Sequence, residues 1–205
     1  MILPEKFTER MKAMLKDEYS DFYTALTDSP IYSAIRINTL KPNAENAVKS
    51  VTGALNGVPW CRNGFYADKT LISGNHPYHC AGLFYFQEPS AMCAVSGLPV
   101  KCGDKILDLC AAPGGKSTQA AAKLGGTGLL VANEIVKKRA DILSENIERT
   151  GVSNAIVTNE TPQRLSEKYP SFFDKIIVDA PCSGEGMFRK EPQAVSEWSE
   201  EHTLS

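Results

Sequence analysis

Between residues 105 and 181, apolar runs and helical stretches alternate at short, even spacing, and this constrains the fold more than any other feature of the chain. "KILDL" (105–109), "GLLVANE" (128–134), "NAIVTN" (154–159) and "DKIIVDAP" (174–181) read as strands. "KSTQAAAKL" (116–124) and "KKRADILSENIERTG" (137–151), the latter closed by glycine, read as helices between them. Strands separated by helices at this spacing pair in parallel, with the helices covering the sheet. The expected fold class is therefore α/β, a doubly wound sheet of which four strands are present. Four strands make an incomplete sheet, and the polar ending "EWSEEHTLS" follows directly on another helix start. The chain is expected to be truncated.

The amino-terminal part has a different texture. Phe7, Met11, Met14 and Leu15 recur at helical spacing after Pro4, and a second short helix is expected over 20–26. "SAIRINTLK" (33–41) alternates like a strand and stops at Pro42, residues 43–55 read as a helix, and 56–80 are rich in turn residues. The expected division is a small α+β domain over residues 1–75 and a sheet domain over 76–205.

"DLCAAPGGKST" (108–118) lies where the first strand turns into the first helix. In doubly wound sheets this turn lets backbone N–H groups approach a ligand at the carboxyl ends of the strands. Ala111, Ala112, Gly114 and Gly115 remove bulk from that approach, and Pro113 stiffens it. The stretch resembles a phosphate-binding loop, G-x-x-x-x-G-K-[ST], but has Cys110 where the first glycine belongs. Glu134 ends the second strand about 20 residues further on, where an acid takes ribose hydroxyls in this architecture. A triphosphate site has no need of that acid, so a cofactor held by its ribose is favoured over a nucleoside triphosphate, and the absence of G-x-G-x-x-G disfavours a dinucleotide. A plain turn with a solvated strand end remains the alternative.

"VDAPCSGEGMFRK" (178–190) follows the fourth strand and should place Asp179 and Cys182 at the same sheet edge as the glycine loop. A carboxyl group and a thiol three residues apart suit chemistry on an electron-poor ring. Cys182 taken alone is as readily a packing residue. Arg36, Asn38 and Lys41 of "IRINTLKP" could face RNA or support the amino-terminal domain. Lys137, Lys138 and Arg139 are a solvated face or assist RNA. His76 and His79 have no partners at ligand spacing, so no metal site is expected.

Composition excludes little. A 205-residue chain that is 42% hydrophobic and 22% charged is ordinary for a globular protein. Its formal charge of −2 leaves nucleic-acid binding to local basic patches. Six cysteines without a C-x-x-C pair read as reduced thiols, and the amino terminus has no apolar stretch long enough for a signal peptide or membrane span. A cytoplasmic protein is expected.

Four motifs in this order, "IRINTLKP", "FQEPSAM", "LDLCAAPGGKSTQ" and "VDAPCSGEGMFRK", resemble the Nol/Nop/Sun family of S-adenosylmethionine-dependent RNA cytosine-C5 methyltransferases. The resemblance covers most of the chain, and "GEGMFRK" looks most like the bacterial 16S ribosomal RNA subgroup. It implies a Rossmann-like class I methyltransferase sheet, S-adenosylmethionine as cofactor and ribosomal RNA as partner. It implies that Cys110, Ala111, Ala112, Pro113, Gly114, Gly115 and Lys116 wrap the cofactor, with Glu134 on the ribose and Arg139 beside it. One of Asn159, Glu160 and Thr161 would meet the adenine, in place of the usual aspartate. Asp179 would lie between cofactor and base, and Cys182 would help release product. The covalent nucleophile of this family lies in a Thr-Cys motif, and no Thr-Cys pair occurs here. The fragment alone is expected to be inactive. A non-catalytic fragment that binds S-adenosylmethionine or RNA, and a transfer-RNA cytosine methyltransferase, stand as alternatives.

Overall fold

The computed structural model describes residues 2–28, 30–67 and 72–201. In chain order its elements are helices α1 (Glu5–Leu15) and α2 (Tyr19–Thr27), strand β1 (Ala34–Ile37), α3 (Ala44–Thr52), β2 (Gly57–Val58), β3 (Cys61–Tyr66), α4 (Pro77–Cys80), β4 (Phe84–Phe86) and α5 (Pro89–Ser96). There follow β5 (Lys105–Asp108), α6 (Gly115–Leu124), β6 (Leu129–Asn133), α7 (Lys137–Thr150), β7 (Ala155–Thr158), α8 (Pro162–Lys168), β8 (Lys175–Ile177) and α9 (Pro192–Glu197). Contacts group residues 32–179 into one compact unit, and residues 1–31 with 180–205 into another.

The larger unit holds two sheets. The parallel sheet has the order β7-β6-β5-β8, in register Ile106–Leu130 and Leu130–Ala155. The four expected strands and their parallel sense are all present. Central strands β5 and β6 are buried on both faces, as their unbroken apolar runs dictate, whereas edge strand β8 leaves Ile176 exposed. Ile106, Leu130, Ala120, Leu124 and Leu143 form the core between sheet and helices, each almost fully removed from water. Burial of each large aliphatic chain contributes on the order of 1.5–3 kcal/mol.

The second sheet is antiparallel, in the order β2-β3-β1-β4, with Ile35 opposite Phe65 on one side and Phe86 on the other. Its core is Ile35, Ile37, Val48, Ile72 and Phe84. Strand β3 runs through the stretch whose composition indicates turns. Gly64 sits in that strand because a Cβ there would come within 2.6 Å of the Met92 sulfur on α5, so the glycine marks close packing and not a bend. Residues 68–71 of that stretch, and 202–205 of the polar ending, lie outside the described residues.

Polar groups tie the sheets together. Asn38, just past β1, donates to Gly82 O at 2.8 Å and to Thr150 O at 2.7 Å, at the end of α7. Gly82 has φ +72°, and a Cβ there would fall 2.0 Å from Arg149 O. Only glycine permits that approach.

In the smaller unit, Phe7 on α1 packs edge-on against Phe188 at 5.1 Å and Trp198 at 5.7 Å. Leu3, Met11 and the fully buried Phe188 complete this core. Among the described residues no helix is long and apolar enough to cross a membrane.

Candidate cofactor and catalytic site

Strand β5 ends in Asp108, and the chain then turns through residues 109–114 into α6. Ala111 N donates to Asn133 O at 2.8 Å, which stitches the loop to the end of β6, and Gly114 N closes on Ala111 O at 2.7 Å. Gly114 has φ +112°, and a Cβ would press on Leu143 at 3.2 Å, so both conformation and space require glycine there. Gly115 faces Tyr85 and Gln87 of the antiparallel sheet. Asn146 Nδ2 donates to Pro113 O at 2.8 Å from α7.

Two buried carboxylates back this loop. Asp108 is fully buried; Ser117 Oγ donates to its Oδ2 at 2.6 Å, while Oδ1 has no hydrogen-bond partner. Burial raises its pKa to about 6, against the opposing effects of the Ser117 bond and Lys116. Glu134 is 2% exposed. Its Oε1 accepts from Val136 N at 3.0 Å, and its Oε2 lies 3.4 Å from Arg139 Nη1 without a hydrogen bond. Arg139 Nη2 donates to Ala112 O at 2.9 Å, so the guanidinium joins acid and loop.

Cys110 lies among these acids. Burial first, then the charges of Glu134, Asp108 and Asp179, push its thiol pKa up. A thiol held neutral is a weak nucleophile. Lys116 Nζ meets Asp179 Oδ2 at 2.5 Å. This pair joins the start of α6 to the residue two places past β8.

Of the three residues after β7, each has a structural bond. Asn159 Nδ2 donates to Glu134 O at 2.6 Å and Ile135 O at 2.8 Å, holding the strand-end acid in place. Glu160 N donates to Asn133 Oδ1 at 3.0 Å, and its carboxylate pairs with Arg164 at 2.9 Å. Thr161 Oγ1 caps α8 by accepting from Arg164 N at 3.3 Å. The loop residues, Glu134, Arg139, Asn159–Thr161 and Asp179 thus gather at the carboxyl ends of the parallel strands. Cys182 is exposed and belongs to the smaller unit.

Sequence reasoning passed over Asp108, although its acid-before-glycine placement was visible. It also left Arg36 open, and the structure resolves that residue. Arg36 is buried, and it donates to Gln87 Oε1 at 2.8 Å, Gly115 O at 3.0 Å and Thr118 Oγ1 at 2.7 Å. It braces the first turn of α6 and is not open to RNA. Gln87 extends the brace to Gln119 at 3.2 Å. His76 caps α4, and His79 Nδ1 bonds to Gly74 O at 2.7 Å. Among the described residues no group of three or more His, Cys, Asp or Glu could hold a metal.

Sheet order and the loop at the end of β5 together define a Rossmann-like α/β protein. Residues 95–204 match the family described as 16S rRNA methyltransferase RsmB/F, and residues 3–89 match the N-terminal domain of 16S rRNA methyltransferase RsmF. The chain belongs to this methyltransferase family. It is 42% identical over 213 residues to ribosomal RNA small subunit methyltransferase F of Vibrio cholerae, and 40% identical over 211 residues to the enzyme of that name from Vibrio vulnificus. These matches cover 99% and 98% of this chain but 45% of each relative, so the chain spans about half their length. A crystal structure of a methyltransferase homologue from Pyrococcus horikoshii superposes with TM-score 0.79 at 29% identity, over 93% of this chain and 63% of that one.

Proposed function

We propose that this chain carries the cofactor-binding half of a methyltransferase that moves a methyl group from S-adenosylmethionine to carbon-5 of a cytosine in ribosomal RNA of the small subunit. In this reading residues 1–75 support the enzyme and meet RNA, and residues 76–205 hold the cofactor. The observation that carries it is the pair of buried acids, Asp108 and Glu134, each with one oxygen lacking a hydrogen bond, around a loop stripped of side chains. Three carboxylates near Cys110 outnumber the two cations paired with them, Lys116 and Arg139, and this excess disfavours a pyrophosphate and suits a cationic sulfonium; the Glu134 oxygen without a hydrogen bond suits ribose hydroxyls. The residues present therefore fit S-adenosylmethionine better than ATP or NAD.

When bound, S-adenosylmethionine supplies the electrophilic methyl group. The loop from Cys110 to Lys116 encloses it, Glu134 orients it, Arg139 steadies both, and one of Asn159, Glu160 and Thr161 borders its adenine. Carbon-5 of cytosine becomes nucleophilic once a thiolate adds to carbon-6, and that thiolate belongs to the Thr-Cys motif that residues 1–205 lack. Asp179, as a carboxylic acid, donates a hydrogen bond to ring nitrogen 3 and promotes the addition, while Lys116 Nζ on its Oδ2 orients the group. After transfer a base removes the carbon-5 proton, and Cys182 assists departure of the enzyme thiol. Its cell compartment, in this reading, is the cytoplasm, where ribosomal RNA is found.

Calorimetry with S-adenosylmethionine, NAD and ATP tests the cofactor: saturable ATP binding with no response to S-adenosylmethionine overturns the reading. Labelled methyl transfer to RNA is expected to be absent for residues 1–205 alone. In a polypeptide of the relatives' full length, Cys182→Ala should accumulate a protein–RNA adduct, and clean turnover would remove Cys182 from the release step.

A further inference from the structure

The segment after Cys182 is gripped by the first helix of the chain. Gly184 adopts φ +74°, and a short turn of 3-10 helix over Glu185–Met187 follows, with Met187 N donating to Gly184 O at 2.8 Å. Phe188, one residue on, is 1% exposed and packs edge-on against Phe7 of α1. Glu185 Oε1 takes two donors: the Arg10 guanidinium from α1, in a short charged bond, and Trp198 Nε1 at 2.9 Å. The Arg10 guanidinium in turn lies over the Trp198 ring, 5.6 Å from its centre. Arg189 Nη2 reaches back to Pro30 O at 2.6 Å, beyond the end of α2. Residues 184–189 are thus fastened at three points, Glu185 and Phe188 to α1 and Arg189 to Pro30 past α2, and Cys182 stands three residues before the first.

From this we propose that Arg10 is a positioning residue for the reaction, holding the Cys182 segment in place through Glu185. The consequence rests on the reading of Cys182 as the product-release thiol. A thiol that must act on one atom of a bound intermediate needs a fixed backbone, and a sub-ångström error there costs rate. Two charge-assisted bonds to one carboxylate oxygen, shielded by an aromatic ring, supply that fixity. Helix α1 then serves catalysis through the Cys182 segment, apart from whatever contact it makes with RNA. The Arg10 stem also packs in this core, so a variant must keep its bulk while removing the donors.

The test uses Arg10→Met, with Arg10→Lys as the conservative variant, in a polypeptide of the relatives' full length. In Arg10→Met the amides of Met187 and Phe188 should exchange with deuterium at least tenfold faster, while those of Leu107 and Leu130 are unchanged. Turnover should fall about tenfold with KM for RNA within twofold, and the protein–RNA adduct should accumulate although Cys182 is intact. Arg10→Lys should restore at least half of the turnover, and Arg10→Met added to Cys182→Ala should change adduct levels no further. Unchanged exchange at 187–188, or no adduct in Arg10→Met where Cys182→Ala forms one, overturns the proposal. If Cys182→Ala itself turns over cleanly, the release role of the thiol falls and the catalytic consequence with it. The exchange result still decides, independently, whether Arg10 holds the segment.

Discussion

Ser117 Oγ donates to Asp108 Oδ2 at 2.6 Å across the first turn of α6, and neither residue touches water. The other oxygen of the carboxylate has no partner, so the charge is only half compensated. Burial lifts the folded pKa to about 6, above the ordinary 3.8. Between those values the folded state holds a proton that the unfolded state has released. Stability therefore falls as pH rises from about 4 through 6 and levels off above. Asp108→Asn is expected to gain about 1–3 kcal/mol at pH 7, a gain that shrinks toward zero near pH 4. Urea unfolding at the two pH values measures it, and equal gains at both would contradict the assignment.

Glu134 is expected to matter for binding more than for folding. Its Oε2 makes no hydrogen bond, and its ion pair with Arg139 is 3.4 Å long. Glu134→Ala should weaken S-adenosylmethionine at least tenfold, about 1.4 kcal/mol or more, in calorimetry. Its melting temperature should stay the same or rise. A large drop in melting temperature with affinity intact would make the residue structural.

Arg36 is expected to behave in the opposite way. Removing it strands Gln87 Oε1 in the interior and takes the charged donor away from Gly115 O and Thr118 Oγ1. Arg36→Met should cost about 3 kcal/mol of stability. The salt dependence of RNA binding should not change, because no phosphate contact is lost. A slope reduced by about one would show that the side chain reaches RNA after all.

The Lys116–Asp179 pair is partly open to solvent, with side-chain exposures of 20% and 60%. Such pairs contribute little to stability, about 1 kcal/mol or less. Lys116→Met should leave melting nearly unchanged and lower methyl transfer by at least tenfold in a full-length polypeptide. The split between stability and turnover is the readout; parallel losses in both would assign the lysine to folding.

The parallel sheet was legible because β5 and β6 are buried on both faces and so read as unbroken apolar runs, each ending at an acid. Strand β3 was not, because Arg62, Asn63 and Gly64 look like a turn. Its glycine answers to Met92 on α5, a constraint no local window contains. Asp108 stood in plain view, but a lone oxygen without a donor shows only once β5, α6 and their neighbours are assembled. Arg36 was ambiguous for a related reason: a basic residue on a strand reads alike whether it meets phosphate or a buried carbonyl. Arg10 and Glu185, 175 residues apart in the chain, carry no pattern at all.

The Arg36 brace has an evolutionary corollary. Because one guanidinium from β1 is shared among Gln87, Gly115 and Thr118, the two sheets cannot drift independently. Among natural relatives, loss of the arginine should arrive with simultaneous replacement at positions 87 and 118. A grafted amino-terminal sheet that lacks those matching residues would disturb the glycine loop it was never chosen to touch.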